Sequence, residues 1–195
     1  MSEHAIRLMT PDEFLEWGLS QDRRHELVDG IPMAMAGAKR RHDRIVMKLH
    51  SLLDQRLARH HCLPFTADTA VRIPSGNIRR PDAGIDCGTY DDNATTADAP
   101  LLVVEVLSPS TRDFDMFGKL DEYRTVPSLR HIVIIDPDAP QAYHWTRDAD
   151  GNWQHTLLEG LDAVITIPDI PCALELATLY EGLTFTPRPR LVPDT

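Results

Sequence analysis

The chain is short of positive charge. Twenty lysines and arginines face thirty aspartates and glutamates across 195 residues, a formal net charge of −10. A field of that sign repels a polyanion at long range, which argues against bulk, non-specific nucleic-acid binding. A nucleic-acid substrate would have to be met by a local basic patch or through a metal. Cysteine is scarce too: Cys62, Cys87 and Cys172 are far apart and form no CxxC pair. That spacing argues against disulfides and against a cysteine zinc site. No apolar run approaches the roughly 20 residues of a membrane span, so no membrane association is expected. Met1-Ser2-Glu3-His4 lacks the basic-then-apolar start of a signal peptide, which makes the cytoplasm the expected compartment. No internal repeat or low-complexity segment is present. The 42% apolar and 26% charged content is that of an ordinary globular protein. The expectation is one domain over residues 1–186 and a loose tail over 187–195, where three prolines fall.

Local signals then divide the chain. Thr10-Pro11-Asp12-Glu13 combines a cap, a first-turn proline and a capping-box glutamate, predicting a helix that stops near Gly18. Asp29-Gly30 between apolar segments predicts a hairpin. Ile45, Leu49, Leu52, Leu53 and Leu57 recur at helical spacing within a helix over 41–61. Strands are expected over 66–73, 78–87, 101–107 and 131–136. A second hairpin, 142–146 with 153–158, should bring Trp145 and Trp153 together across strands. A short strand over 163–167 and a final helix over 174–180 complete an α/β fold: a mixed central sheet flanked by helices, with β-hairpins.

The most informative stretch lies between Arg80 and Lys119. Leu101 to Leu107 is apolar except for Glu105, and an unpaired buried carboxylate costs several kcal/mol. A metal ion or a fixed cation removes that cost. Strand alternation puts Glu105 on one face with Leu101, Val103 and Leu107. Asp82, after Pro81, falls in a strand that can lie beside it. Two carboxylates from adjacent strands suit magnesium, which takes few protein oxygens and keeps several waters. The Val106 carbonyl offers a further ligand. A helix starting near Ser110 or Thr111 would place Asp115, Lys119 and Tyr123 on one face. An ammonium at Lys119 could orient an attacking water or offset transition-state charge.

Pro81-Asp82, Glu105-Val106-Leu107-Ser108-Pro109-Ser110-Thr111, Asp115, Lys119 and Tyr123 together resemble the Uma family of “putative restriction endonucleases”, within the PD-(D/E)xK nuclease superfamily. Glu26 to Gly30, His42 and His131 to Pro137 match the family layout, and the resemblance spans about residues 13–180. It implies a restriction-endonuclease-like core, a DNA substrate and Mg²⁺, with Mn²⁺ as a substitute. Asp82 and Glu105 become metal ligands and catalytic acids, with Val106 as a third ligand. The superfamily lysine normally stands two residues after the acid, where this chain has Leu107. The resemblance gives that role to Lys119 and leaves Glu26 as an extra catalytic acid. By analogy with folds that pair to cut two strands, a homodimer is expected.

Other readings stand beside these. Glu105 could instead be a buried partner of Arg72 or Arg80. His42 reads first as a helix-surface histidine. Lys39, Arg40, Arg41, Arg44 and Lys48 form the one basic cluster, either a phosphate-tracking patch or a solvated helix face. His60-His61, in the helix over 41–61, is a weak metal pair, since adjacent helix residues point different ways. Ser110 with His131 or His144 makes no credible triad. The alternative function is a non-catalytic binding or assembly module on a nuclease-derived fold.

Overall fold

The computed structural model describes residues 7–108 and 118–185. Its first helix, α1 (Pro11–Gly18), opens on a complete capping box, with Thr10 Oγ1 accepting from the Glu13 N–H and the Glu13 carboxylate from the Thr10 N–H. Strands β1 (His25–Val28) and β2 (Ile31–Ala34) turn through Asp29 and Gly30, whose φ values are 49° and 79°. Positive φ at both central residues is what a type I′ hairpin demands. Helix α2 (Arg40–Leu57) buries Ile45, Leu49, Leu53 and Leu57 as one stripe.

Strands β3 (Leu63–Thr66), β4 (Val71–Arg72), β5 (Ile78–Arg79), β6 (Ala83–Asp86) and β7 (Pro100–Val106) follow. After them come α3 (Leu120–Arg124), β8 (His131–Asp136), β9 (Gln141–Arg147) and β10 (Trp153–Glu159), and last β11 (Val164–Ile167), β12 (Cys172–Glu175) and α4 (Leu176–Leu179). The main sheet has the order β10-β9-β8-β7-β6-β3. Its β7–β8 pair is parallel, and its other pairs are antiparallel. A second sheet, β2-β1-β5-β4, is backed by α1 through Phe14, Leu15, Leu27 and Ile78.

Each face of the main sheet has its own core. On one, Val104, Val106, Val133 and Ile135 meet the α2 stripe and the apolar residues of β11, β12 and α4. On the other, Val103, Leu107, Ile132 and Ile134 meet Leu120 and Tyr123 of α3. Burial on both faces explains why β7 and β8 are near-continuous apolar runs. Glu105 falls on the face under α3.

Several expectations are corrected. The predicted strands over 66–73 and 78–87 are four short ones divided between two sheets. Pro81, which has no N–H to donate, lies at the crossing from β5 to β6. Leu101 packs against the α2 core rather than on the Glu105 face. The β6–β7 register shifts between Ile85 and Asp86, and such an irregularity breaks strict alternation. Helix α2 ends at Leu57, so His60 and His61 are not helical. Residues 174 and 175 end β12 rather than starting a helix. Trp145 stands opposite His155, and Trp153 opposite Arg147. Cys62 and Cys87 form a disulfide, which the wide spacing argued against. The pairing of Leu63 with Asp86 makes these two cysteines the next cross-strand pair. The predicted start of the third helix at Ser110 or Thr111, the position of Asp115 and the tail 187–195 lie outside the described residues.

Candidate active site

Ala83 pairs with Val104 across β6 and β7. One residue further along this antiparallel register, Asp82 stands opposite Glu105. The two acids therefore arise at one end of the two strands, as the sequence suggested. Their immediate partners differ.

Glu105 is 4% exposed. Lys119, at the start of α3, donates to Glu105 Oε1 at 3.2 Å and lies 3.0 Å from Glu26 Oε1. Tyr123, one helical turn on, donates its hydroxyl to the same Glu105 oxygen at 2.7 Å. Burial, and then the charge of Glu105, hold that hydroxyl protonated, well above the ordinary tyrosine range. Glu26, on β1, also accepts from Arg79 Nη1 at 3.2 Å and from the Arg80 N–H at 3.0 Å. Arg79 is completely buried. It turns Nη2 onto Glu122 Oε1 at 2.7 Å and Nε onto Glu122 Oε2. Asn77 joins Glu122 to the Asp29 backbone, anchoring the network to the first hairpin.

Asp82 is the half-buried member. Its Oδ2 accepts from the Val106 N–H at 2.7 Å and lies 3.2 Å from His42 Nε2. Its main-chain carbonyl accepts from His50 Nε2 at 3.0 Å. His42 is thus not a free surface histidine: α2 carries it and His50 on one side, both directed at Asp82. Burial would lower the His42 pKa. The hydrogen bond and charge of Asp82, helped by the Val106 backbone and Asp43, outweigh burial and raise it above the ordinary histidine value.

A cleft of about 1130 Å³ opens in front of Asp82, walled by His42, Arg23, Arg24, Arg40 and Arg80. Glu26, Glu105 and Lys119 do not line that cleft, and each is under 8% exposed. Of the basic cluster on α2, Arg40 lines the cleft. Arg41 and Lys48 instead pair with Asp138 and Glu181. Glu105 has neither of the arginine partners considered from sequence: Arg72 pairs with Asp12, and the Arg80 guanidinium binds the carbonyls of His25, Ala67 and Asp68. The position two residues after Glu105 is Leu107, 1% exposed in the α3 core. Arg79, Glu122, Asn77 and His50 were not anticipated. The one sequence signal for Arg79 was a charged residue directly after Ile78 in a short strand.

Residues 11–179 match the Uma2 family, described as “putative restriction endonuclease”. The chain belongs to that family. Two curated relatives come from Synechocystis sp. The uncharacterized protein slr1290 is 29% identical over 179 residues, covering 91% of this chain and 94% of the relative. The uncharacterized protein sll1609 is 29% identical over 165 residues, covering 83% and 93%. Among solved structures, “a putative nuclease belonging to DUF820” from Anabaena variabilis aligns with a TM-score of 0.72 at 17% identity. That alignment covers 88% of this chain and 97% of the other, and at this identity it speaks to the fold alone. The Uma2 chain therefore has a nuclease-like mixed sheet flanked by helices. Among the described residues, no helix is long and apolar enough to cross a membrane.

Proposed function

We propose that this Uma2-family chain is a Mg²⁺-dependent endonuclease that hydrolyses DNA phosphodiester bonds through a PD-(D/E)xK-type site. The carrying observation is a convergence of carboxylates. Asp82 stands opposite Glu105 across β6 and β7, and Lys119 and Arg79 link Glu105 to Glu26 and Glu122. Glu26 and Glu105 are buried and Asp82 and Glu122 half-buried, where carboxylates need compensation by cations or hydrogen-bond donors. An all-oxygen donor set fits a hard divalent cation, Mg²⁺ or Mn²⁺. Asp82 would hold it from the cleft, Glu105 from the strand, and the Val106 carbonyl would add a neutral oxygen. When bound, such an ion lowers the pKa of a water ligand and polarises the scissile phosphate.

The chain's own groups do the rest. Lys119 sets an ammonium beside Glu105, where it orients the attacking water or offsets negative charge at phosphorus. Glu26 fixes that ammonium, and Tyr123 fixes the Glu105 carboxylate. Arg23 and Arg40, on the cleft wall, would supply the local positive charge that a phosphate backbone requires of an acidic protein. Two chains acting as a homodimer would cut both strands, and a cytoplasmic site of action belongs to the same reading.

The test is cleavage of plasmid, linear and branched DNA in Mg²⁺ and in Mn²⁺. The wild type cuts, while Asp82→Asn and Glu105→Gln lose cutting and keep a cooperative unfolding transition. DNA left intact by the wild type in both metals would sink the proposal.

One observation favours the second reading, a non-catalytic binding or assembly module. Leu107 replaces the usual lysine, and Lys119 is wedged between Glu26 and Glu105 as an internal counter-charge. Calorimetric titration with Mn²⁺ separates the two. Heat that vanishes in Glu105→Gln supports the nuclease, whereas no binding by the wild type supports the module.

A further inference from the structure

A second cluster of reactive groups lies at the other end of β6, roughly 16 Å from Asp82 at the rise of an extended strand. There Cys87 meets Cys62. Three consecutive donors, His60, His61 and Cys62, follow the end of α2, and a ligand atom from each lies within 4.8 Å of the other two. His61 Nε2 is 3.4 Å from Cys62 Sγ. Tetrahedral zinc, with about 2.0 Å to nitrogen and about 2.3 Å to sulfur, needs an N-to-S edge of about 3.5 Å. His60 Nδ1 accepts the Cys62 N–H at 3.1 Å, so a cation would replace that N–H at Nδ1 or take Nε2 as it gives up its proton. The rings of His60 and His61 sit 4.4 Å apart, on the same side of the chain. Cys62 is 1% exposed while His61 is exposed, so an ion could enter from solvent onto a sheltered sulfur.

We propose that the reduced chain binds one zinc-type cation through His60, His61, Cys62 and Cys87, and that the disulfide is the oxidised, metal-free state of the same site. The two states exclude each other, because the metal requires thiolates and the disulfide has none. The exchange balances. A dithiol reductant gives two electrons and two protons to the sulfur–sulfur bond and becomes a disulfide itself. The cation then binds as the two new thiols release their protons. In either state the segment between α2 and β3 is tied to the end of β6, covalently or through the ion. A reducing compartment, which removes structural disulfides, would thus leave the tie in place.

The test uses the full chain, reduced with a phosphine under anaerobic conditions and titrated with Co²⁺. A thiolate-to-cobalt charge-transfer band should saturate at one equivalent and be displaced by Zn²⁺. The oxidised protein should show no band. Cys62→Ser and Cys87→Ser should lose it, and His61→Ala, a change on the surface, should weaken binding about tenfold or more. Asp82→Asn and Glu105→Gln should keep the band, which separates this site from the carboxylates. Cys172 is a buried free thiol on β12, and loss of the band in Cys62→Ser and Cys87→Ser separates it from this site. The proposal fails if the reduced wild type gives no band, if the band survives in both cysteine variants, or if the oxidised protein binds equally well.

Discussion

Glu105 and His131 sit on adjacent parallel strands of one sheet, under opposite faces and near opposite ends. Around Glu105 ion pairs gather. Arg79 and Lys119 bridge Glu26, Glu105 and Glu122, and Asp82, opposite Glu105, opens on a cleft. Around His131 the charge is dropped. His131 Nδ1 lies 3.1 Å from His144 Nε2, and His131 Nε2 lies 2.6 Å from Asp169 Oδ2. Burial lowers the His131 pKa against the pull of Asp169, and burial with His131 alongside pushes His144 down to about 4. Imidazoles can escape the cost of burial by staying neutral. Glu105 instead meets an ammonium and a phenol hydroxyl, from Lys119 and Tyr123. That contrast supports the proposal of function at Glu105, with His131 and His144 as structure.

The strongest way to break the contrast is on activity. Asp82→Asn or Glu105→Gln should reduce Mg²⁺-dependent cleavage by at least about a hundredfold, while His144→Gln should leave it unchanged in the same plasmid assay. Equal losses in both clusters would erase the distinction. Next comes Arg79→Met, which strips a buried counter-charge from Glu26 and Glu122. It should cost about 3–5 kcal/mol in urea unfolding, and a loss under about 1 kcal/mol would mean that water already screens the network.

A smaller effect tests the neutral cluster through pH. The folded value of His144, about 4, lies below the ordinary 6.5, so the unfolded chain binds its proton first. Stability present above pH 6.5 is therefore withdrawn as pH falls toward 4, by up to about 3 kcal/mol. His131, also lowered, contributes in the same direction. Urea midpoints at a series of pH values should show this slope in the wild type and a flatter one in His144→Gln. The smallest change sets the scale for a position in neither cluster. Thr10→Ala removes the α1 cap and should cost about 1 kcal/mol in the same unfolding assay, with cleavage untouched.

What could be read in advance follows a physical line. The capping box at Thr10, the Asp29-Gly30 turn and the run from His131 to Asp136 were legible because each depends on neighbours in sequence. Glu105 stood out because a lone carboxylate in an apolar strand must have a partner, and Lys119 is one of them. Arg79, Glu122 and Asn77 did not stand out, since nothing local says that β5 will join β1 instead of β6. The Cys62–Cys87 bond was argued against from spacing. Its basis is the register of β3 on β6, which no count of intervening residues reveals. His60 and His61 would diverge on a helix, but α2 stops at Leu57, and the chain beyond it brings the two rings together.

By itself, the order of residues determined the local elements, the apolar strand interrupted by one acid, and the acidic composition that opposes a polyanion at long range. Tertiary structure alone decided which side chains Glu105 and Asp82 touch, that His42 and His50 point at Asp82, and that two distant cysteines face each other. The reason is that helix caps and turns are settled over a few bonds, whereas ion pairs and disulfides depend on strand order and register, which only the assembled sheets specify.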